Sequence, residues 1–302
     1  MDNLKIIKDL EKSMPKTEAI IGYGSGIYKQ KGYSEEEKPD KDVIIIVDDF
    51  KDFLIEDYQL NPEHFSNDFD KNILYKKKEK ANFYSNLGCL KFYHDNIHFK
   101  AMIISKDALE KDLQTWKYFG MAGRLTKPIL YQNIPEDLEN KIIKNRERIL
   151  TTAFLLNIKD ELSKEEIYNT ISNITYMYDF RTILPAEKKT KSSDIVNGAF
   201  DFFDRTYGSL ELIKNQDNII INPHPVNMIE DLPEKLKEDL EKFKDKNITQ
   251  EELEKISKVI NNYFRKTNFI NSIRLALSSS TTLGKKETIK HGLSKVKKHF
   301  QK

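Results

Sequence analysis

Apolar positions along the chain change period near residue 135. Before it they come in short runs, which predict strands over 19–21, 43–47, 73–75, 82–87, 90–93 and 97–104. A polar helix and its connection occupy 1–18, and His94-Asp95-Asn96 reads as the turn between the last two strands. Ser105 is an N-cap, with Asp107 favourable in the first turn. Leu109, Leu113 and Trp116 then repeat at helical spacing, and Gly123 is the expected stop. From Glu136 the period is helical. Leu138, Ile142, Ile149, Ala153 and Leu156 mark one helix, and Ser163 with Glu166 forms a capping box for the next, which buries Ile167, Ile171 and Ile174. A third helical stretch is expected over 193–212, a short strand or wing over 218–221, and a charge-dense helix over 231–246. Thr249 and Glu252 form a second capping box, opening a helix with Leu253, Ile256, Ile260 and Tyr263 inward.

The pattern predicts an α+β fold. A mixed sheet flanked by helices is expected over 1–135, a mainly helical, winged-helix-like domain over 136–245, and a helical extension with a basic tail over 246–302.

Composition narrows the class. Hydrophobic residues make up 38% and charged residues 32%, which is a core-forming chain with a heavily charged surface. The net charge of +2 argues against a globally basic nucleic-acid binder, so no nucleic-acid partner is expected. One cysteine, Cys89, excludes a disulfide framework and a four-cysteine metal site, and it fits a reducing cytosol as a buried small apolar residue. No apolar run reaches the roughly 18 residues of a membrane span, and Met1–Lys5 has no apolar signal region.

The candidate chemistry lies between the first two strands. Gly24-Ser25-Gly26 ends the first, and its backbone can approach and cradle a phosphate. Asp40 and Asp42 stand at the start of the second, two apart and therefore on one side, where a divalent cation can sit. A phosphate cradle beside a carboxylate pair suits nucleotidyl transfer with Mg²⁺, which takes one or two carboxylates and shares its other positions with phosphates. The turn is not a P-loop, because no Gly-Lys-Ser/Thr follows. His94 and His98 have a superficial metal spacing but are expected to flank a turn.

Several segments together resemble one family. They are Tyr23-Gly24-Ser25-Gly26 with Gln30 and Gly32-Tyr33, Asp42 with its apolar strand, Asn61-Pro62-Glu63-His64-Phe65-Ser66, and Lys100 with Ile103-Ile104-Ser105. Asp112-Leu113-Gln114-Thr115-Trp116 and Ala122-Gly123-Arg124-Leu125-Thr126-Lys127-Pro128 follow in order, with weaker echoes at Tyr176–Arg181, at Glu187 and in the tail. This collinear set resembles the mitochondrial-type phosphatidate cytidylyltransferases, the translocator-assembly-and-maintenance family of CDP-diacylglycerol synthases. Departures at 57–60, Ala101-Met102, Thr126 and Tyr178 imply a divergent, bacterial member.

The resemblance implies a nucleotidyltransferase-like sheet and a Mg²⁺-dependent reaction of CTP with phosphatidate, giving CDP-diacylglycerol and pyrophosphate. In that scheme Asp40 and Asp42 hold the metal and Lys100 screens phosphate charge as a third catalytic residue. Gly24, Ser25, Asn61, His64, Ser66, Arg124 and Lys127 are the candidate nucleotide contacts. A strong general base is not needed, because a phosphate monoester with a second pKa of about 6 is already largely dianionic at neutral pH.

The tail, 283–302, carries seven lysines against Glu287, with Ile289, Leu293, Val296 and Phe300 at helical spacing. Lys286, Lys290, Lys297 and Lys298 would face an anionic membrane, making this a cytoplasmic, peripheral enzyme (for eukaryotic relatives, one on the matrix side of the mitochondrial inner membrane). Two alternatives remain open at this point: a nucleotidyltransferase acting on a protein, tRNA or small-molecule acceptor, and a non-catalytic nucleic-acid-binding module.

Overall fold

The computed structural model describes residues 2–28, 40–67, 69, 72, 83–179, 190–208, 215–216, 219–244 and 249–283. The expected strand at 73–75, Gln30, Gly32, Tyr33, Arg181, Glu187 and the lysines of the tail lie outside the described residues.

A mixed sheet organises the first half. Helix α1 (Asn3–Ser13), capped by the Asp2 side chain, leads to β1 (Ala19–Tyr23) and β2 (Lys41–Val47). Helix α2 (Phe50–Leu60) follows, capped by Asp49. A 3-10 turn at Phe83–Asn86 takes the place of the strand expected over 82–87, of which among the described residues only Leu87 is extended; the strand expected over 90–93 lies within β3 (Leu87–His94), which is followed by β4 (Ile97–Ser105). Asp95 and Asn96 both take positive φ, 48° and 61°, and close the β3–β4 hairpin as expected. With β5 (Ile129–Leu130) the strand order is β3-β4-β2-β1-β5. Among the described residues of this sheet only the β2–β4 pair is parallel.

Alternation gives the sheet two different faces. Ile20, Val43, Ile45, Val47, Leu90, Phe92, Phe99 and Ile103 point to one side, under α1 and α2. Ala19, Ile21, Ile44, Ile46, Cys89, Met102 and Ile104 point to the other. There they pack against α3 (Lys106–Thr115) and α4 (Glu136–Leu156), in a core that continues without a break across residue 135. Both faces of β2 and β4 are therefore buried, which is why 43–47 and 101–104 read as unbroken apolar runs.

Helix α3 starts on Ser105, as expected, but stops well before Gly123. Trp116 takes φ 51° as its left-handed C-cap, held there by burial and by an indole N–H donated to Asn145. Beyond α4 come β6 (Glu161–Ser163) and α5 (Lys164–Ile174), whose Ser163–Glu166 capping box is formed. The expected helix over 193–212 is two, α6 (Lys191–Gly198) and α7 (Phe200–Tyr207), broken at Ala199. β7 (Asn215–Gln216) and β8 (Ile219–Ile221) join β6 in a small antiparallel sheet. The charge-dense helix also breaks: a 3-10 segment ends at Asp231, and Pro233 starts the short α8 (Glu234–Leu240). The Thr249–Glu252 box opens the long α9 (Gln250–Leu283), which returns to pack on β3.

Candidate active site

Strand register assembles the site. Tyr23 lies opposite Asp42, Asp42 beside Lys100, and Lys100 opposite Lys91. In-register partners share a face, so four polar side chains form one row across four strands: Lys91, Lys100, Asp42, Tyr23. The row sits at one end of the face that is apolar further along, next to Cys89, Met102, Ile44 and Ile21.

Asp42 is the hinge of this row. Its carboxyl is 23% exposed, and Oδ1 lies 4.0 Å from the Lys100 ammonium. The turn after β1 closes over its other oxygen. Gly24 has φ +73°, and a Cβ there would lie 2.9 Å from Asp42 Oδ2. Gly26 approaches the Asp40 carbonyl so closely that a Cβ would sit 2.1 Å from it. Two glycines thus let the β1 turn and the β2 entrance meet, with the half-exposed Ser25 between them.

Asp40 stands two residues before Asp42, exposed, with Oδ1 2.7 Å from His98 Nδ1. His98 stands two before Lys100 and lies opposite Tyr93, whose ring centroid is 4.7 Å away. Asp40, His98 and Tyr93 therefore make a second row one step nearer the open end. His94 and His98 flank the β3–β4 turn as expected, and His98 holds the outer carboxylate. Among the described residues no group of three His, Cys, Asp or Glu side chains is gathered to hold a metal. A cation at Asp40 and Asp42 would take its remaining oxygens from water and phosphate, a donor set that suits Mg²⁺.

Arg124 stands near the Tyr23 end of the row. Burial, and then the Asp42 carboxylate, push the Tyr23 phenol above its ordinary range, while the nearby Arg124 guanidinium, which donates to the Gly120 carbonyl, pulls the other way. Tyr23 therefore stays a neutral phenol at any physiological pH. Cys89 lies beneath the row. Burial pushes its thiol up, Lys100, Lys91 and Arg124 pull it down, and Asp42 raises it. All four charged groups are thus near one buried sulfur.

Four further candidates lie elsewhere. His64 is 3% exposed and bonds both oxygens of the fully buried Asp57 at 3.1 Å. Its ring stacks on Phe92 at 3.9 Å, and Phe92 belongs to the α1–α2 side, so the sheet separates His64 from Asp42. Asn61 is part of the same cluster, donating to Asp57 and to the Ser13 carbonyl. Ser66, half-buried, follows on that side, and its carbonyl accepts from Phe69. Lys127 is close to Arg124 in the chain, but its ammonium donates to Thr175 and lies 4.3 Å from the Tyr176 ring centre.

Sequence reasoning did not single out Lys91, Tyr23 or His98 for this site. A lysine interrupting an apolar strand is a weak signal, and only the register shows what it faces.

A mixed sheet with helices on both sides, a Gly-Ser turn closing its first strand and a carboxylate opening its second define a nucleotidyltransferase-like protein. More narrowly, the chain belongs to the family described as phosphatidate cytidylyltransferase, mitochondrial (Tam41/Mmp37), which matches residues 5–298. It is similar to proteins of that name from Schizosaccharomyces pombe (28% identical over 195 residues, 63% of this chain and 48% of the relative) and Homo sapiens (31% over 196 residues, 62% and 42%). The relative of that name from Saccharomyces cerevisiae is 29% identical over 197 residues, 62% of this chain and 50% of its own length. The chain spans about half the length of these curated relatives.

Proposed function

We propose that this chain transfers CMP from CTP to phosphatidate at a membrane surface, giving CDP-diacylglycerol and releasing pyrophosphate. Family membership supports the reaction class, and one observation carries the assignment to this site: the row Lys91–Lys100–Asp42–Tyr23 with the Gly24 turn closed against Asp42.

The chemical difficulty is bringing two polyanions together, so positioning and charge neutralisation dominate over proton transfer. Asp40 and Asp42 would hold Mg²⁺, which supplies charge neutralisation on the triphosphate. The backbone around Gly24 and Ser25 would cradle phosphate oxygens. Lys100 and Arg124 would offset charge on the α-phosphate, with the Gly120 carbonyl holding Arg124 in place.

Phosphatidate has to be met at a bilayer. Among the described residues no helix is long and apolar enough to cross one. Helix α9 exposes Phe269, Ile270 and Ile273 among the exposed cations Arg265, Lys266 and Arg274. It leads directly to the tail with Lys286, Lys290, Lys297 and Lys298. That mixture of apolar and basic side chains supports peripheral attachment to anionic lipid.

The test is incubation with phosphatidate liposomes, Mg²⁺ and labelled CTP. CDP-lipid is the expected product. Asp42→Asn is expected to abolish its formation with the melting temperature kept. Turnover near the wild-type rate in that variant overturns the site. CTP binding by the wild type without lipid turnover assigns it another acceptor.

A further inference from the structure

Strand β4 sets a side chain of different chemistry beside each carboxylate of the proposed metal pair. Asp42 lies beside Lys100, whose ammonium is 4.0 Å from Oδ1. Asp40, one step nearer the open end, has its Oδ1 2.7 Å from Nδ1 of His98. An ionised carboxylate only accepts, so the imidazole nitrogen facing it carries a proton. A lysine donates only as a cation, which also offsets the carboxylate's charge. An imidazole can donate while neutral, and can therefore orient a carboxylate without competing for that charge.

The backbone at Asp40 is fixed from the other side. Lys41 points away from its two acidic neighbours and donates to the Gly26 carbonyl and to Asn3 Oδ1 at 2.9 Å, which ties the β2 entrance to the turn and to α1. Gly26 meets the Asp40 carbonyl with no room for a Cβ. The Asp40 carboxyl is less confined. Its side chain is 47% exposed, and among the described residues its hydrogen-bond partner is His98. The His98 ring is placed in turn by Tyr93, its partner across the β3–β4 pair, with ring centroids 4.7 Å apart. The contacts thus run from Tyr93 to His98 to Asp40, with Oδ1 engaged and Oδ2 left for a cation.

We infer that His98 is a positioning residue for the metal site: its Nδ1–H holds the Asp40 carboxylate so that the second oxygen can join Asp42 at a cation. That role rests on the proposed function and deepens it by naming what sets one of the ligands. His98 touches neither nucleotide nor acceptor and acts through Asp40 alone. Without the bond, an exposed aspartate populates several rotamers, and a cation has to select one of them. Partners that fix a ligand in this way are typically worth about 10–100-fold in metal affinity or activity.

The test titrates Mn²⁺ alone into the nucleotide-free full chain, read by electron paramagnetic resonance, beside CDP-lipid formation over a Mg²⁺ titration. His98→Phe keeps a ring against Tyr93 and removes the donor. Its Kd for Mn²⁺ and its half-saturating Mg²⁺ are expected to rise about ten-fold, with the melting temperature unchanged. His98→Asn, whose amide offers an N–H at a similar reach, is expected to recover most of the affinity. In an Asp40→Asn background, His98→Phe is expected to add less than about two-fold, because its effect passes through Asp40. If the wild type makes CDP-lipid and His98→Phe binds Mn²⁺ within about two-fold of it, the inference alone is overturned, and fully additive losses in the double variant overturn it as well. If the wild type binds Mn²⁺ in a His98-dependent way yet makes no CDP-lipid, the proposed function falls and the positioning role stands.

Discussion

Replacing Gly24 by alanine separates the fold from the site. The residue has φ +73°, and left-handed backbone costs an L-residue about 1–2 kcal/mol. For a chain of 302 residues, with about 2.1 cal/mol/K of unfolding entropy per residue, that lowers the melting temperature by about 2–3 °C. Such a loss leaves the protein folded at 25 °C, because domains carry about 5–15 kcal/mol. The effect on Asp42 is disproportionate. The added methyl lies 2.9 Å from Oδ2, and restoring ordinary contact needs a retreat of roughly 0.5 Å or more. A carboxylate that positions a metal tolerates little of this, since a misplacement of about 1 Å can cost on the order of 100-fold in rate. Gly24→Ala is therefore expected to lose about 10–100-fold in kcat/KM for CTP, with a near-normal melt. The assay pairs thermal unfolding with CDP-lipid formation over a Mg²⁺ titration. Activity within three-fold of wild type refutes the reasoning, as does a loss that merely tracks unfolding. Gly26→Ala is the control. Its methyl meets the Asp40 backbone carbonyl at 2.1 Å, so the turn itself must open and stability should fall further.

The remaining predictions probe the supports. His64→Ala takes one side-chain partner from the buried Asp57, which keeps the Asn61 amide as a donor, and removes the stack on Phe92, so it should cost about 3–5 kcal/mol in urea unfolding. The CTP KM of the folded fraction should not change; a ten-fold rise with stability intact would return His64 to the nucleotide site. Asp112→Ala strips the acceptor from the Met121 and Ala122 amides, and should cost about 2–5 kcal/mol by the same measurement. The Glu166 carboxyl is pulled down to about 2, first by Lys159 and then by the Ser163 N–H of the capping box. A depressed carboxyl stabilises the fold above its ordinary value of 4.5 and loses that contribution as pH falls towards about 2. The stability difference between wild type and Glu166→Gln, about 0.5–1 kcal/mol at pH 7 for so exposed a group, should therefore vanish across that window.

The strands and the first half of the site were legible because their signals are local. An apolar run, a Gly-Ser turn and an Asp-x-Asp entrance depend on period and spacing alone. Pairing register is not local, so Lys91 gave no sign of facing Lys100. Neither could the sequence say which face of the sheet a helix covers. Asn61 and His64 lie in a segment typical of the family, yet packing of α2 on the Val43–Ile45–Val47 side carries them beneath the sheet. The early end of α3 was hidden for a related reason. A tryptophan at positive φ is a poor guess from propensity, and only burial with a bond to Asn145 makes it favourable. Gly123, the expected stop, is needed instead for close packing, since a Cβ there would lie 3.0 Å from Thr175.

The helical half acquires a purpose from the segment it holds. Residues 118–127 have little regular structure, and helices from both halves satisfy their backbone polar groups. Asp112 on α3 accepts from Met121 and Ala122 at 2.8 and 3.0 Å. Asn145 on α4 donates to the Ala122 carbonyl, and Arg146 to that of Leu125. Tyr207 on α7 donates to Thr126, and Asn271 on α9 to Tyr118. The segment then joins the sheet as β5, where Ile129 pairs with Tyr23. Arg124 lies between these anchors and its guanidinium donates to the Gly120 carbonyl, so its place near Tyr23 is fixed from both ends. A long arginine on a free loop would lose rotamer freedom each time it met a phosphate, a cost of up to about 2 kcal/mol. Here folding has already met that cost, so for the proposed reaction the guanidinium would be in position before either anion arrived.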